Sequence, residues 1–422
     1  MVIKKVLIHS IVFSPDGVST AYLYNDIAQR FRDEGYEVIV LTTTPHYNVL
    51  DSELAKQPLQ RKFFGLFYES DFNGIRVLHV PQKKFRSSIL RIIGFVYWHA
   101  LSFFLGLLQK NVNLILSPSP PLTIGIINLF IGKLKGAKVI YNVQEIYPDF
   151  LINQGKLKLK SVVSFLRWLE RIVYNNSDAV TTIDDIFYHT IEDRFNDKSK
   201  LSIIPNFVDT DLYKPLVHFD NILDPHYFHK KKSCLKIMYA GNIGHAQAWE
   251  PLLRIAKVLS DKDVEFWVIG EGVMKPYLEE QITLLDLKNI HLVPYQSREV
   301  MPGLIAYADL HFIFMAPEME GQGFPSKVYT IMACGKPLLI ISGEYTPICN
   351  FLKPLNCTYL IHDRQIEYQC RKIEKIIQNL LQDRSELQIL GKNGFDHIEN
   401  TYSKHIVTKQ YVDLGNKILK SL

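Results

Sequence analysis

Several signatures that would settle a function at a glance are missing. No GxGxxG fingerprint follows a strand, so a nicotinamide site has little support, and there is no P-loop. Neither a Ser-His-Asp ordering nor a His/Cys cluster with zinc spacing occurs. Cysteine is scarce: five in 422 residues, an odd number without a CxxC pair. That argues for a reducing compartment and against structural zinc. The net charge of +5 is too mild to argue for nucleic acid, and no nucleic-acid motif is present. It does suit an anionic membrane face or phosphate-bearing substrates. The N-terminal MVIKKVLIHS has only a short apolar run and reads as a first strand rather than a signal peptide. The uncharged run Ile92–Leu108 is shorter than the ~20 residues that span a bilayer. It suits a buried core helix, or a helix lying on a membrane with Lys83, Lys84, Arg86 and Arg91 against lipid phosphates.

What is present is a globular chain, 47% hydrophobic and 22% charged, long enough for two cores. Strand and helix signals alternate. Val6–Ser10 is followed by a helix over Thr20–Glu34 with Ala21, Tyr24, Ile27, Ala28 and Phe31 on one face. Further strands are expected at Glu37–Leu41, Arg76–Val80, Leu114–Ser117, Lys138–Asn142, Ala179–Ile183 and Leu201–Ile204. A polar stretch with the basic run His229–Lys232 reads as a linker, and the pattern then restarts. Leu235–Ala240, Val264–Gly270, Ile290–Pro294, Leu310–Met315 and Lys336–Ile341 are its strands. Such alternation predicts α/β architecture: two Rossmann-like, doubly wound parallel-sheet domains facing a cleft. The expected division is 1–217, a linker at 218–233, 234–401, and a last helix over 402–422.

In open parallel sheets, ligands bind beyond the carboxyl ends of the strands. The segment GQGFPSKVYTIMACGKP, 321–337, places Pro325 and Ser326 before a short apolar helix and Gly335 after it. A helix N-terminus there favours an anion. Lys327, in the first turn where the dipole disfavours a cation, makes sense if an anion lies between the two. Gly241-Asn242-Ile243-Gly244 is a second strand-to-helix loop in which a pyrophosphate could rest. Gly17 lets backbone approach a phosphate or sugar, though an ordinary tight turn explains it equally well. Glu145 and Asp149 stand in a proline-stiffened loop, where a carboxylate suits proton removal from an acceptor hydroxyl; Asp149 equally suits a helix cap. Asp209-Thr210-Asp211 spells a metal-binding DxD, but it reads better as capping and hinge structure.

The MACGKPL run, with YAGNIGHAQ (239–247), YNVQEIYPD (141–149) and IPNFVDTDLYKP (204–215), resembles the retaining family 4 glycosyltransferases of GT-B fold. The Pro-Ser-Lys form is similar to the colanic acid and O-antigen fucosamine transferase subgroup. The resemblance implies a bacterial surface-polysaccharide enzyme of hexosyl- or N-acetylhexosaminyl-transferase type. Its donor would be a nucleotide diphosphate sugar, UDP-linked, and its acceptor a lipid-linked saccharide. It also implies retention of anomeric configuration, no cofactor, no metal, and a cytoplasmic, peripheral place on the inner face of the plasma membrane. The last helix would cross back to the first domain. Gly323 and Ser326 would line the donor site, with Tyr295 at the nucleotide base.

The chain departs from the family at four positions. Gln322 and Thr330 stand where the family has two glutamates, and Asn242 and Gln247 where it has a phosphate-binding arginine and lysine. Lys327 is then the obvious remaining cation. Glu318 and Glu320 lie near enough to compensate, although solvated loop acids are the plainer reading. Two alternatives stay open: a UDP-sugar 2-epimerase of the same architecture, separable by epimer formation without acceptor, and a non-catalytic scaffold that neither binds donor nor turns it over.

Overall fold

The computed structural model describes residues 3–82, 88–153, 155, 157–219, 221–228, 234–320 and 324–420, with side chains in the first long helix described from residue 92 onward. Lys83, Lys84, Arg86, the side chain of Arg91, the run His229–Lys232 and the loop residues Gly321, Gln322 and Gly323 lie outside the described residues. The chain divides into two compact units. One comprises Met1–Asn206 with His405–Leu422, the other Phe207–Lys404. The first unit therefore ends before the expected 217. Phe207–Val217 belongs with the second unit, where Val208 pairs with Ser403 and its N–H bonds to the Tyr402 carbonyl.

The first unit holds a nine-stranded sheet. Its parallel strands run, in spatial order, Ile75–Val80, Glu37–Thr43, Lys5–His9, Val112–Pro118, Lys138–Val143, Ala179–Thr182 and Leu201–Ile203. An antiparallel pair, Gln60–Lys62 and Phe67–Phe72, extends the edge beyond Ile75. The alternation of helix and strand signals does not foresee that pair. Asn73-Gly74, both at positive φ (52° and 82°), is the residue pair a tight hairpin turn requires, and it folds Phe67–Phe72 back onto Ile75–Val80. The helix Ser19–Asp33 buries all five residues of its expected face. It stops where the Gly35 N–H bonds back to the Arg32 carbonyl. The last helix, Lys404–Lys420, packs on this unit: Gly415 lies against Leu114, and Tyr36 donates to Asn416 Oδ1 at 2.6 Å.

The second unit holds six parallel strands in the order Ile290–Val293, Val264–Ile269, Leu235–Ala240, Leu310–Phe314, Leu338–Ile341 and Thr358–Ile361. In each sheet the chain starts in the middle, winds outward one way, then returns to the other side. The reversal falls between Lys5–His9 and Val112–Pro118 in the first unit. In the second it falls between Leu235–Ala240 and Leu310–Phe314. A crevice opens at the carboxyl ends of the strands at such a reversal.

Candidate functional site

At the reversal in the second unit, the strand Leu235–Ala240 runs into Gly241. The φ of Gly270 is +142°, and a Cβ there would stand 2.0 Å from the Gly241 carbonyl oxygen. Any side chain at 270 would push the 241–244 loop off its seat. The loop is also tied down by Ile243 N–H to Glu271 O and Met274 N–H to Ile243 O, both 2.9 Å. Gly270 and Gly272 thus shape the loop, a role the sequence reading missed although Gly-Glu-Gly after a strand was visible. Asn242 lies with its side chain between Gly244 and Gly272, and its carbonyl accepts from Tyr239 Oη at 2.7 Å.

Lys327 reaches this loop. Its ammonium sits 3.8 Å above the Tyr239 ring and directly against the open face of Gly241, where a Cβ would meet Nζ at 2.4 Å. Tertiary structure thus brings the two candidate phosphate elements, 86 residues apart along the chain, onto one point. Among the described residues no carboxylate pairs with Lys327. Desolvation lowers its pKa to about 7.

The helix that carries Lys327 differs from expectation. It runs Lys327–Ala333, only seven residues, and Ser326 makes no side-chain cap. The N–H groups of Val328 and Tyr329 bond to the carbonyls of Pro325 and Ser326 at 3.0 and 3.1 Å. Two of the amides expected to face an anion are therefore taken, and the ammonium replaces the helix end as the attractive group. Thr330 Oγ1 donates to the Lys327 carbonyl at 2.9 Å, which stiffens the turn. Gln247 does not offer its amide to the crevice: its Oε1 accepts from Phe314 N–H at 3.1 Å and fastens the next strand's end. Glu320 is a buried acid rather than a solvated one. Arg364 holds it at 2.8 Å, and Gly343 N–H donates to it at 2.8 Å. Tyr295 stands 68% exposed at the end of Ile290–Val293, its ring free to stack.

At the reversal in the first unit lies a cavity of about 190 Å³ lined by Ser10, Val12, Thr20, Tyr47, Ser119 and Glu145, among others. Glu145 is half-buried. Desolvation raises its carboxyl pKa, and a hydrogen bond from Tyr147 opposes the rise. Beneath it, Gln144 and Asn206 exchange amide hydrogen bonds at 3.0 Å. Asn142 accepts from Tyr24 at 2.6 Å and donates to Thr181 and to Tyr411 of the last helix. A satisfied buried network of this kind holds the loop rigid.

Gly17 and Asp149 both have structural roles, the plainer side of the two readings each residue carries. A Cβ on Gly17 would stand 2.4 Å from the Asn48 carbonyl, so its bareness serves backbone packing. Asp149 ion-pairs with Arg194 and, at 3.3 Å, with Arg167, and Arg194 also holds the buried Glu170. A carboxylate so engaged holds the fold together rather than facing an acceptor hydroxyl. Asp149→Asn is therefore expected to lower stability by about 1–3 kcal/mol while leaving turnover of the folded protein within about two-fold. A urea melt beside a rate assay checks this; a large rate loss at unchanged stability would restore Asp149 to the catalytic set. The carboxylates of Asp209 and Asp211 both contact Lys404, at 2.7 and 2.6 Å, in keeping with a structural role.

Two doubly wound units, each with its crevice at a strand-order reversal, are the architecture of the GT-B fold. Two family models match most of the chain between them: "Glycosyltransferase Family 4" over residues 21–212 and "Glycosyl transferases group 1" over 227–396. The chain belongs to the family 4 glycosyltransferases and is a glycosyltransferase. It is similar to WcaI of Escherichia coli strain K12, named as a colanic acid biosynthesis glycosyl transferase. The two are 23% identical over 359 residues, covering 82% of this chain and 84% of WcaI. WbjE of Pseudomonas aeruginosa, named as a glycosyltransferase, is 24% identical over 65% of this chain and 67% of its own. Among solved structures, Anabaena HepE in complex with UDP and glucose shares the fold. It has a TM-score of 0.67 at 15% identity over 99% of this chain and 100% of that one.

Proposed function

We propose that this enzyme moves a sugar from a UDP-linked donor to a hydroxyl of a lipid-linked saccharide during bacterial surface-polysaccharide synthesis. Anomeric configuration is retained, and the work is done at the inner face of the plasma membrane. The observation that carries the donor half is the Lys327 ammonium, partly desolvated and without a carboxylate partner among the described residues, set against the bare Gly241 backbone. A diphosphate there would supply the missing negative charge. Its charge grows as the glycosidic bond breaks, so a cation fixed beforehand stabilises the transition state more than the ground state. Asn242 and Gly244 would border the diphosphate, with Tyr295 against the base. Ser326 and Thr330, and Gln322 and Gly323 outside the described residues, belong to the sugar side of this reading. HepE, solved with UDP, and WcaI, named for colanic acid, support the donor and pathway assignments.

On the acceptor side, Glu145 would orient the hydroxyl and take its proton. The leaving diphosphate is assigned to Lys327 rather than to a divalent ion, because Asp209 and Asp211 are both engaged by Lys404. In buffer with a chelator, UDP is expected to raise the melting temperature, while UMP raises it less. Saturation to about 100 times Kd would add roughly 2.7 kcal/mol of stability. Transfer should persist with the chelator present. Activity lost to the chelator and restored by manganese would overturn the assignment.

A further inference from the structure

Three helices lie side by side in the first unit: Ser88–Leu108, Leu122–Lys135 and Lys160–Asn176. Gly106 lies against Ile131 and Gly125 against Val173, and His99 Nε2 bonds Thr123 Oγ1 at 2.8 Å. Their inner faces build the core through Trp98, Leu105, Ile124, Ile131 and Val173. Their outer faces are apolar too, which a water-facing helix layer does not explain. On the first helix Ile93, Val96, Phe104 and Leu108 are 57–71% exposed, at spacings of three, eight and four that keep them near one helix face. On the second helix Phe130 and Leu134 are exposed as well, four residues apart. On the third, Val162, Phe165 and Trp168 follow Leu159 at steps of three, and Phe165 stacks on Trp168 at 5.8 Å.

The charges on this layer are nearly all of one sign. Lys133, Lys158, Lys160, Arg167 and Arg171 are exposed on or beside these helices. Their only carboxylate, Glu170, is buried against Arg194. A second copy docked through the same patch would set these cations against their own images. An anionic lipid surface complements them, with the aromatic and aliphatic side chains entering the headgroup boundary and the lysine stems reaching back to phosphate. No helix among the described residues is long and apolar enough to cross a membrane. We infer that this three-helix layer is a membrane-docking surface for anionic phospholipid, on which the first unit lies flat. Arg167, which also reaches Asp149, sits within it.

The inference rests on the lipid-linked acceptor reading for its purpose but not for its test. The full chain is expected to float with vesicles of phosphatidylethanolamine and phosphatidylglycerol. Its binding to phosphatidylcholine vesicles should be at least about ten-fold weaker, because the exposed cations find no anionic headgroups there. The double variant Phe165→Glu with Trp168→Glu should lose at least about ten-fold of that binding, since two aromatic groups no longer enter the bilayer. Trp168 is 56% exposed whereas Trp98, Trp249 and Trp267 are buried, so brominated lipid should quench fluorescence through Trp168 and lose that effect in Trp168→Phe. The melting response to UDP should be the same in every variant. Absence of binding to the anionic vesicles overturns the inference. So does a wild-type dimer that the double variant splits while vesicle binding stays unchanged. A wild-type protein that floats but shows no melting response to UDP would instead sink the donor reading and leave the docking surface standing.

Discussion

Replacing Lys327 with alanine is expected to slow sugar transfer about 10–100-fold without unfolding the protein. A hydrogen bond to a charged group is worth about 1.5–3 kcal/mol, and its loss as the diphosphate departs converts to that range of rates. The ammonium rests on the Tyr239 ring, with no carboxylate partner among the described residues, so the free protein loses little when it is removed. Its pH behaviour gives a second readout. Desolvation sets the folded pKa at about 7, below the ordinary lysine value near 10.5. Between those values the unfolded chain binds more protons than the folded one. This lysine's contribution to stability therefore rises with pH across that window and is at its least favourable below about 7. Diphosphate binding favours the charged form, so UDP should take up a proton between about pH 7 and 9 and bind more weakly as pH rises. Calorimetry in buffers of different ionisation enthalpy measures that uptake. In Lys327→Met both the uptake and the stability slope should vanish. Unchanged kinetics in a folded Lys327→Ala protein would remove the phosphate role.

A larger loss is expected at Glu145. General-base groups typically contribute about 10²–10⁴-fold, and Glu145→Gln keeps the shape while removing the base. Desolvation raises this carboxyl pKa, against the opposing Tyr147 hydrogen bond. The rate should therefore fall, as pH drops, through a limb lying above the ordinary carboxylate range, and the glutamine variant should lack that limb. UDP binding, which involves the other unit, should be unaffected. A Glu145→Gln enzyme with wild-type kcat and an unchanged acid limb would exclude the residue from proton transfer.

The two doubly wound domains were readable from linear order, because parallel sheets with helical crossovers impose a strand-then-helix rhythm that composition cannot disguise, and the family resemblance added the GT-B name. The helix Ser19–Asp33 and its buried face follow from spacing alone. The edge hairpin at Gln60–Phe72 was not anticipated because a rhythm of single strands and helices has no place for it. The site was legible in part. Glu145 and the Gly241 loop were visible as residue types after strand ends, and Lys327 and Asp149 as residue types at helix starts. Sequence could not tell which carboxylate was free: Arg194, which holds Asp149, is 45 residues away. Likewise nothing near Gln247 in sequence says that its amide would fasten Phe314.

By itself, then, the sequence determined the fold class, the strand ends where chemistry can sit, and the family. Only the tertiary structure decided which polar groups remain available there. It placed the Lys327 ammonium on Gly241, closed Asp149 and Glu320 into arginine pairs, and left apolar residues of three adjacent helices exposed. The physical reason is range. Periodicity and turn chemistry act between near neighbours and are written locally, whereas a side chain's charge state and partners depend on groups far along the chain that only folding brings within a few ångströms.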